Sequence, residues 1–163
     1  MIYLNYLLFT TMIIYSGFLL WVIVGNSFTS KQIIVSESPS VSVLVAIRDG
    51  AKSLPNLILD LSKQKYSEHI EFILIDDESQ DKTAQIIKEA AKKDNRFVYE
   101  SSLMGNSSLY MKKRALDAGI NIAKNEWLLF TDVDCRIPSN WVNGMAQYFT
   151  TENDYVIGYS SVN

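Results

Sequence analysis

Trp127-Leu128-Leu129-Phe130-Thr131-Asp132-Val133-Asp134 is an apolar run that ends in two carboxylates separated by one residue. A short run of this composition predicts a strand, and the acid pair then places hard oxygen ligands at the end of that strand. Such oxygens suit magnesium or manganese, which take one or two carboxylates and complete their shell with water and substrate phosphates. The same residues also fit a plain strand followed by an acidic turn. What decides between the two is the company this run keeps.

On its N-terminal side, strand and helix patterns alternate. Val41–Ile47 is rich in β-branched residues and predicts a buried strand. Leu54–Leu61 predicts a helix with Ser53 as N-cap, Pro55 in the first turn, and Leu54, Leu57, Ile58 and Leu61 on one face. Glu71–Ile75 is a second strand, ending in Asp76-Asp77-Glu78-Ser79, and Asp81 is placed to cap a helix reaching Lys93. Arg96–Tyr99 predicts a third strand, Leu109–Ala123 a helix, Glu126–Thr131 the fourth strand, Pro138–Phe149 a further helix, and Tyr155–Tyr159 the start of a fifth strand. This alternation predicts an α/β fold with right-handed crossovers and a mostly parallel sheet. Ligands of such sheets bind beyond the carboxyl ends of the strands. Three strands deliver polar groups there: Arg48-Asp49, Asp76-Asp77, and Asp132 with Asp134. No Gly-x-Gly-x-x-Gly fingerprint follows the first strand and no Walker lysine is present, so neither a dinucleotide nor a P-loop site is expected.

Residues Ile2–Val24 are apolar, and no charge appears before Lys31. That run is long enough to cross ~30 Å of hydrocarbon as a helix, with Tyr3, Tyr6 and Trp21 towards its ends, where aromatic side chains favour the interface. It lacks the basic start and small-residue cleavage site of a signal peptide, so an uncleaved anchor is expected. Lys31 and Lys52 favour a cytoplasmic C-terminal side. The organisation expected is a transmembrane helix over residues 1–26, a polar linker over 27–40, and one α/β domain, incomplete at its C-terminus, over 41–163.

Net charge is −3 over 163 residues, which gives no basic field for nucleic acid. The single cysteine, Cys135, excludes an internal disulfide and a multi-cysteine zinc site. Asp132 and Asp134 beside it would raise rather than lower its pKa, so it reads as a passive thiol. The only histidine, His69, lies in a polar turn and reads as a surface residue.

Four blocks in register now resemble a known family. Val41–Asp49, Leu54–Leu57 with Leu61–Tyr66, and Ile73-Leu74-Ile75-Asp76-Asp77-Glu78-Ser79-Gln80-Asp81-Lys82-Thr83 resemble the opening of family 2 glycosyltransferases of the GT-A fold, the last block matching its Val-Asp-Asp-x-Ser-x-Asp-x-Thr pattern. Lys112–Ile120 is similar to the segment before the family's metal strand, and Glu126–Asp134 with Pro138 and Trp141 to its Asp-x-Asp block.

The resemblance implies a Rossmann-like GT-A fold that binds a nucleotide-sugar donor, typically a uridine one. It implies that Ala46 and Arg48 lie against base and ribose, that Asp77 accepts a hydrogen bond from the base, that Arg114 lies near nucleotide and phosphates, that Asp132 contacts ribose or supports the metal, and that Asp134 binds the Mn2+ or Mg2+ ion bridging the diphosphate. Where the family has Asn-Glu after the first-strand Arg, Asp49-Gly50 stands instead. The implied reaction is inverting sugar transfer to a glycan or lipid-linked acceptor at the cytoplasmic face of the cell membrane, with the N-terminal helix in lipid. The family's general base lies in an acceptor half expected beyond Asn163, so the chain reads as a fragment or truncated product, and a nucleotide-binding module without turnover is the alternative. A haloacid-dehalogenase-type phosphatase also sets Asp-x-Asp after a strand. It expects Thr or Val two residues after the second acid, where Arg136 stands.

Overall fold

The computed structural model describes residues 2–27, 38–150 and 153–158. The chain separates into two compact units, residues 1–32 and 33–163. The first contains α1 (Ile2–Ser27), a 26-residue helix. Its Ile2–Gly25 segment, with a mean hydropathy of 2.2, is long and apolar enough to cross a membrane. The hydroxyls of Thr10 and Thr11 donate back to carbonyls of the preceding turn, Tyr6 and Leu7 for one and Leu7 and Leu8 for the other. The helix thereby satisfies both threonine hydroxyls within itself. Lys31, on which the orientation expectation partly rests, and most of the expected linker lie outside the described residues.

The second unit alternates β1 (Val41–Ile47), α2 (Leu54–Ser62), β2 (Ile70–Asp76), α3 (Thr83–Lys93), β3 (Phe97–Ser101), α4 (Lys112–Ile122), β4 (Trp127–Phe130) and α5 (Trp141–Ala146). The four strands form one parallel sheet in the order β3-β2-β1-β4. Because side chains alternate across a strand, Val41, Val43, Val45 and Ile47 share a face with Phe72 and Leu74. That face packs against Leu54, Leu57 and Leu61 of α2, Ile87 of α3, and Val142 and Ala146 of α5. Leu44, Ile73 and Ile75 point the other way, against Ala115 and Ala118 of α4. A Cβ on Gly119 would lie 2.8 Å from Ile75 Cδ1 and 3.0 Å from Leu44 Cδ2, so glycine lets α4 seat closely on the sheet.

The sheet therefore has α2, α3 and α5 on one face and α4 on the other. Strand order runs outward from β1 to β3 on one side and jumps to β4 on the other. β1 and β4 border the point where that order reverses, which is where open α/β sheets bind ligands.

Several local expectations are corrected. Ser53 makes no capping side-chain bond; instead Gly50 O accepts from the amides of Ser53 and Leu54. Lys82, not Asp81, is the N-cap of α3, and Asp81 reaches the Thr83 amide from one residue earlier. The fourth helix begins at Lys112 rather than Leu109, because Asn106–Leu109 closes a turn and Met111 sits at φ 54°. Pro138 starts a turn, its carbonyl accepting from Trp141, so the last helix spans only Trp141–Ala146. Tyr155–Gly158 carry no strand, with Tyr155 and Ile157 exposed; Tyr159 lies outside the described residues.

Candidate active site

The loops after β1 and β2 are stitched to each other. Asp49 takes a left-handed φ of 51°, which Asp tolerates better than most residues. Its amide donates to Ser79 Oγ (3.0 Å) and its Oδ1 accepts from the Gln80 amide (2.7 Å). The Gly50 amide donates to Thr83 Oγ1 (2.9 Å), the Ala51 amide to Asp81 Oδ2 (3.0 Å), and the Asp77 amide to Ile47 O (2.7 Å). The Thr83 hydroxyl, aided by the amides of Ala51 and Thr83, holds the Asp81 carboxyl below its ordinary range. Ser79, Asp81 and Thr83 of the acid-rich block thus fix the loop that carries Arg48. These roles escape a sequence reading because their partners are some thirty residues away.

At the carboxyl end of β1, Ala46 is half-buried and Arg48 exposed. Asp76 and Asp77 are both buried. Asp76 Oδ1 accepts from the Ser79 amide (3.4 Å), a turn-forming role. The Asp77 carboxylate has no hydrogen-bond partner among the described residues. Its oxygens are not among the fully buried unpaired atoms, so they remain open to a ligand.

After β4 the chain turns. The Cys135 amide donates to Asp132 O (3.2 Å), closing a turn over Asp132–Cys135. Val133 packs inward, 3.1 Å from where a Cβ on Gly50 would lie; that Cβ would also stand 2.6 Å from Ile47 Cγ2. Glycine at position 50 therefore lets the turn rest on the β1 loop. With Val133 as the inward anchor, Asp132 and Asp134 on either side are exposed. This is a physical reason for the one-residue spacing of the two acids.

Asp132 pairs with Lys112, the first residue of α4, so its carboxylate already holds a cationic group. Asp134 has no such partner among the described residues. Arg114 donates to Leu103 O (3.0 Å) and Gly105 O (3.3 Å), tying the β3–α4 loop to α4. The segment after the turn is docked on α2. Arg136 pairs with the buried Asp60 (2.6 Å), whose Oδ2 also accepts from the Ile137 amide (3.3 Å). Gln64 donates to Pro138 O (2.8 Å) and accepts from the Val142 amide (3.1 Å). The Arg136 bond holds the Asp60 carboxyl below its usual range. The available signal for this contact was a buried acid on the apolar face of α2 followed by a glutamine just past its end. Cys135 is half-buried and free, and His69 is exposed, as expected.

No group of three or more His, Cys, Asp or Glu side chains is poised to hold a metal among the described residues. Two carboxylates are enough for magnesium or manganese when substrate phosphates supply the remaining oxygens, and the Lys112 ammonium on Asp132 shows that this carboxylate accepts a positive partner. A separate cavity of about 320 Å³ lies at the opposite end of the sheet, lined by Tyr66, His69, Glu71, Arg96 and Lys124 among others. Its buried acid, Glu71, is already bonded to Ser42 Oγ and the Lys124 amide, both at 2.7 Å.

Residues 42–162 match the family model described as "Glycosyl transferase family 2". Among curated relatives, the chain is 34% identical over 98 residues to 4,4'-diaponeurosporenoate glycosyltransferase of Staphylococcus haemolyticus, covering 60% of this chain and 25% of that protein. It is 32% identical over 127 residues to undecaprenyl-phosphate 4-deoxy-4-formamido-L-arabinose transferase of Photorhabdus laumondii, covering 76% and 37%. The chain thus spans a quarter to two-fifths of the length of these relatives. Among solved structures, S. aureus TarS 1-349 in complex with UDP aligns over 66% of this chain and 31% of its own, with TM-score 0.51 and 25% identity. The mannosyltransferase PcManGT of Pyrobaculum calidifontis, in complex with GDP-Man and Mn2+, aligns over 87% and 42% with TM-score 0.68 at 17% identity, which bears on fold alone.

Proposed function

The chain belongs to glycosyl transferase family 2, and from that premise we propose that it forms the donor-binding part of a membrane-anchored transferase that moves a sugar from a uridine nucleotide to a lipid-linked or glycan acceptor. The observation that carries this reading is that Arg48, buried Asp77 and the exposed Asp132 and Asp134 follow the carboxyl ends of three adjacent strands, β1, β2 and β4, beside the reversal of strand order. Asp77 is suited to accept from the base, its carboxylate lacking a protein donor among the described residues. Ala46, without a long side chain, leaves room for a flat group beside it, and Arg48 brings a cation to the same mouth.

Asp134, assisted by Asp132, would hold a divalent ion. When bound, such an ion neutralises charge on the departing diphosphate. Lys112 is placed to pass from the Asp132 carboxylate to a phosphate oxygen once the acid finds another cation. Arg114 acts through the loop it ties down, and its nearness to the first turn of α4 agrees with a place near the phosphates. Inversion of configuration is the expected outcome, with acceptor activation by a carboxylate base supplied outside the described residues. The presence of undecaprenyl-phosphate in a relative's name supports the lipid-linked acceptor, and the length and apolarity of α1 support the anchor.

The test is anisotropy of a fluorescent UDP analogue with the full chain in detergent, in competition with UDP, GDP and CDP. Displacement by UDP at lower concentration than by the others is expected. Absence of saturable binding to folded protein would overturn the reading.

A further inference from the structure

The β3–α4 loop presents large apolar side chains to solvent beside exposed lysines. Leu103, Met104, Tyr110 and Met111 are all exposed, Tyr110 and Met104 being 77% and 70% accessible. They are brought together around the first turn of α4. Arg114 binds the carbonyls of Leu103 and Gly105, a Cβ on Gly105 would lie 2.2 Å from Arg114 O, and the Asn106 amide donates to Asp117 Oδ2 (2.8 Å). The loop is thus pinned against α4, with its apolar side chains left outward.

The same turn carries Lys112 and Lys113, both exposed, and no acid. Cations in the first turn oppose the helix dipole; Lys112 is offset by its pair with Asp132, and Lys113 is not. Lys113 has no ion-pair partner among the described residues. In a chain of net charge −3 this is a local reversal of sign next to exposed apolar area. Apolar side chains interleaved with lysines match the chemistry of an anionic bilayer interface: the apolar groups enter the headgroup boundary and the ammonium groups meet lipid phosphates.

We propose that the surface formed by Leu103, Met104, Tyr110, Met111, Lys112 and Lys113 docks on an anionic lipid surface and brings the mouth of the acid-bearing site to the bilayer. This rests on the reading of α1 as an anchor. A patch this small binds lipid weakly by itself. A tether raises its effective concentration at the membrane, so a weak second contact suffices. Because Lys112 also pairs with Asp132, the docking surface and the site share a residue.

The test uses the full chain in lipid nanodiscs with and without phosphatidylglycerol, in a Cys135→Ser background. Spin labels go on Met12→Cys in α1, Tyr110→Cys in the loop and Lys92→Cys at the end of α3. Expected is a label at 110 that is accessible to oxygen and shielded from a polar nickel reagent when anionic lipid is present, while 92 stays water-exposed. Omitting phosphatidylglycerol, or adding Lys113→Ala, should lower the ratio of docked to undocked protein by about fivefold per cation lost. A lipid-like label at 12 with a fully solvated label at 110 would overturn docking and leave the anchor standing. A solvated label at 12 would overturn the anchor itself. Shielding of 110 from both reagents would show that protein covers the patch, which also overturns the proposal.

Discussion

At the end of the sheet where the strands begin, Ser42 and Glu71 are buried, bonded to each other and to the amides of Asn125 and Lys124. At the end where the strands finish, Asp132 and Asp134 are exposed; one holds a single lysine and the other has no partner among the described residues. Both ends are polar, and their chemistry differs in what is left over. Glu71 Oε1 takes both bonds, and the buried Asn125 side-chain amide lacks a partner among the described groups. That oxygen is spent on the fold. The acids after β4 are held by backbone and by Val133, which leaves their oxygens for a ligand. An acidic residue in a sequence therefore says little until burial and partners show whether its capacity is already used.

Substitutions can break or sharpen that contrast. Glu71→Ala strands the buried Ser42 hydroxyl and the part-buried Lys124 amide and should cost about 2 kcal/mol of stability, read as a lower denaturant midpoint, with nucleotide affinity of the folded fraction unchanged. Thr83→Val removes the acceptor of the buried Gly50 amide and should cost about 1–2 kcal/mol. Unlike Glu71→Ala, it should also weaken nucleotide binding, because it loosens the loop carrying Arg48. Asp60→Asn should cost about 1 kcal/mol, kept small because Arg136 is largely exposed and solvent screens the pair. Here pH is diagnostic. The native Asp60 pKa lies below its ordinary 3.8, so its contribution is fully present above that value and fades as pH falls through the depressed native one. Wild type and Asp60→Asn should differ in stability at neutral pH and converge in acid.

Much of the fold is legible in the sequence because the two central strands, β1 and β2, bury both faces. Val41–Ile47 has no ambiguous position, and its predicted limits match β1. The family blocks also read correctly as a set, since their order and spacing constrain one another. Helix ends are less legible. Ser53 and Asp81 have the right chemistry for caps, but Ser53 makes no side-chain cap bond and Asp81 is drawn partly to the Ala51 amide in another loop. The Tyr155–Tyr159 run has strand composition, yet composition does not supply a neighbouring edge to pair with. In the site, the acids were visible as an Asp-x-Asp pattern. The Lys112–Asp132 pair, the seating of Val133 over Gly50 and the hold of Arg114 on the β3–α4 loop join residues far apart in sequence, and only the fold brings them together.

The most direct test is calorimetric titration of the full chain with UDP, with and without manganese, on wild type, Asp134→Ala and Glu71→Ala. Expected is manganese-dependent binding that Asp134→Ala abolishes without changing the unfolding midpoint, and that folded Glu71→Ala retains. Equal binding by wild type and Asp134→Ala, or loss in Glu71→Ala with Asp134→Ala unaffected, would contradict the assignment of the strand-end acids as the working site.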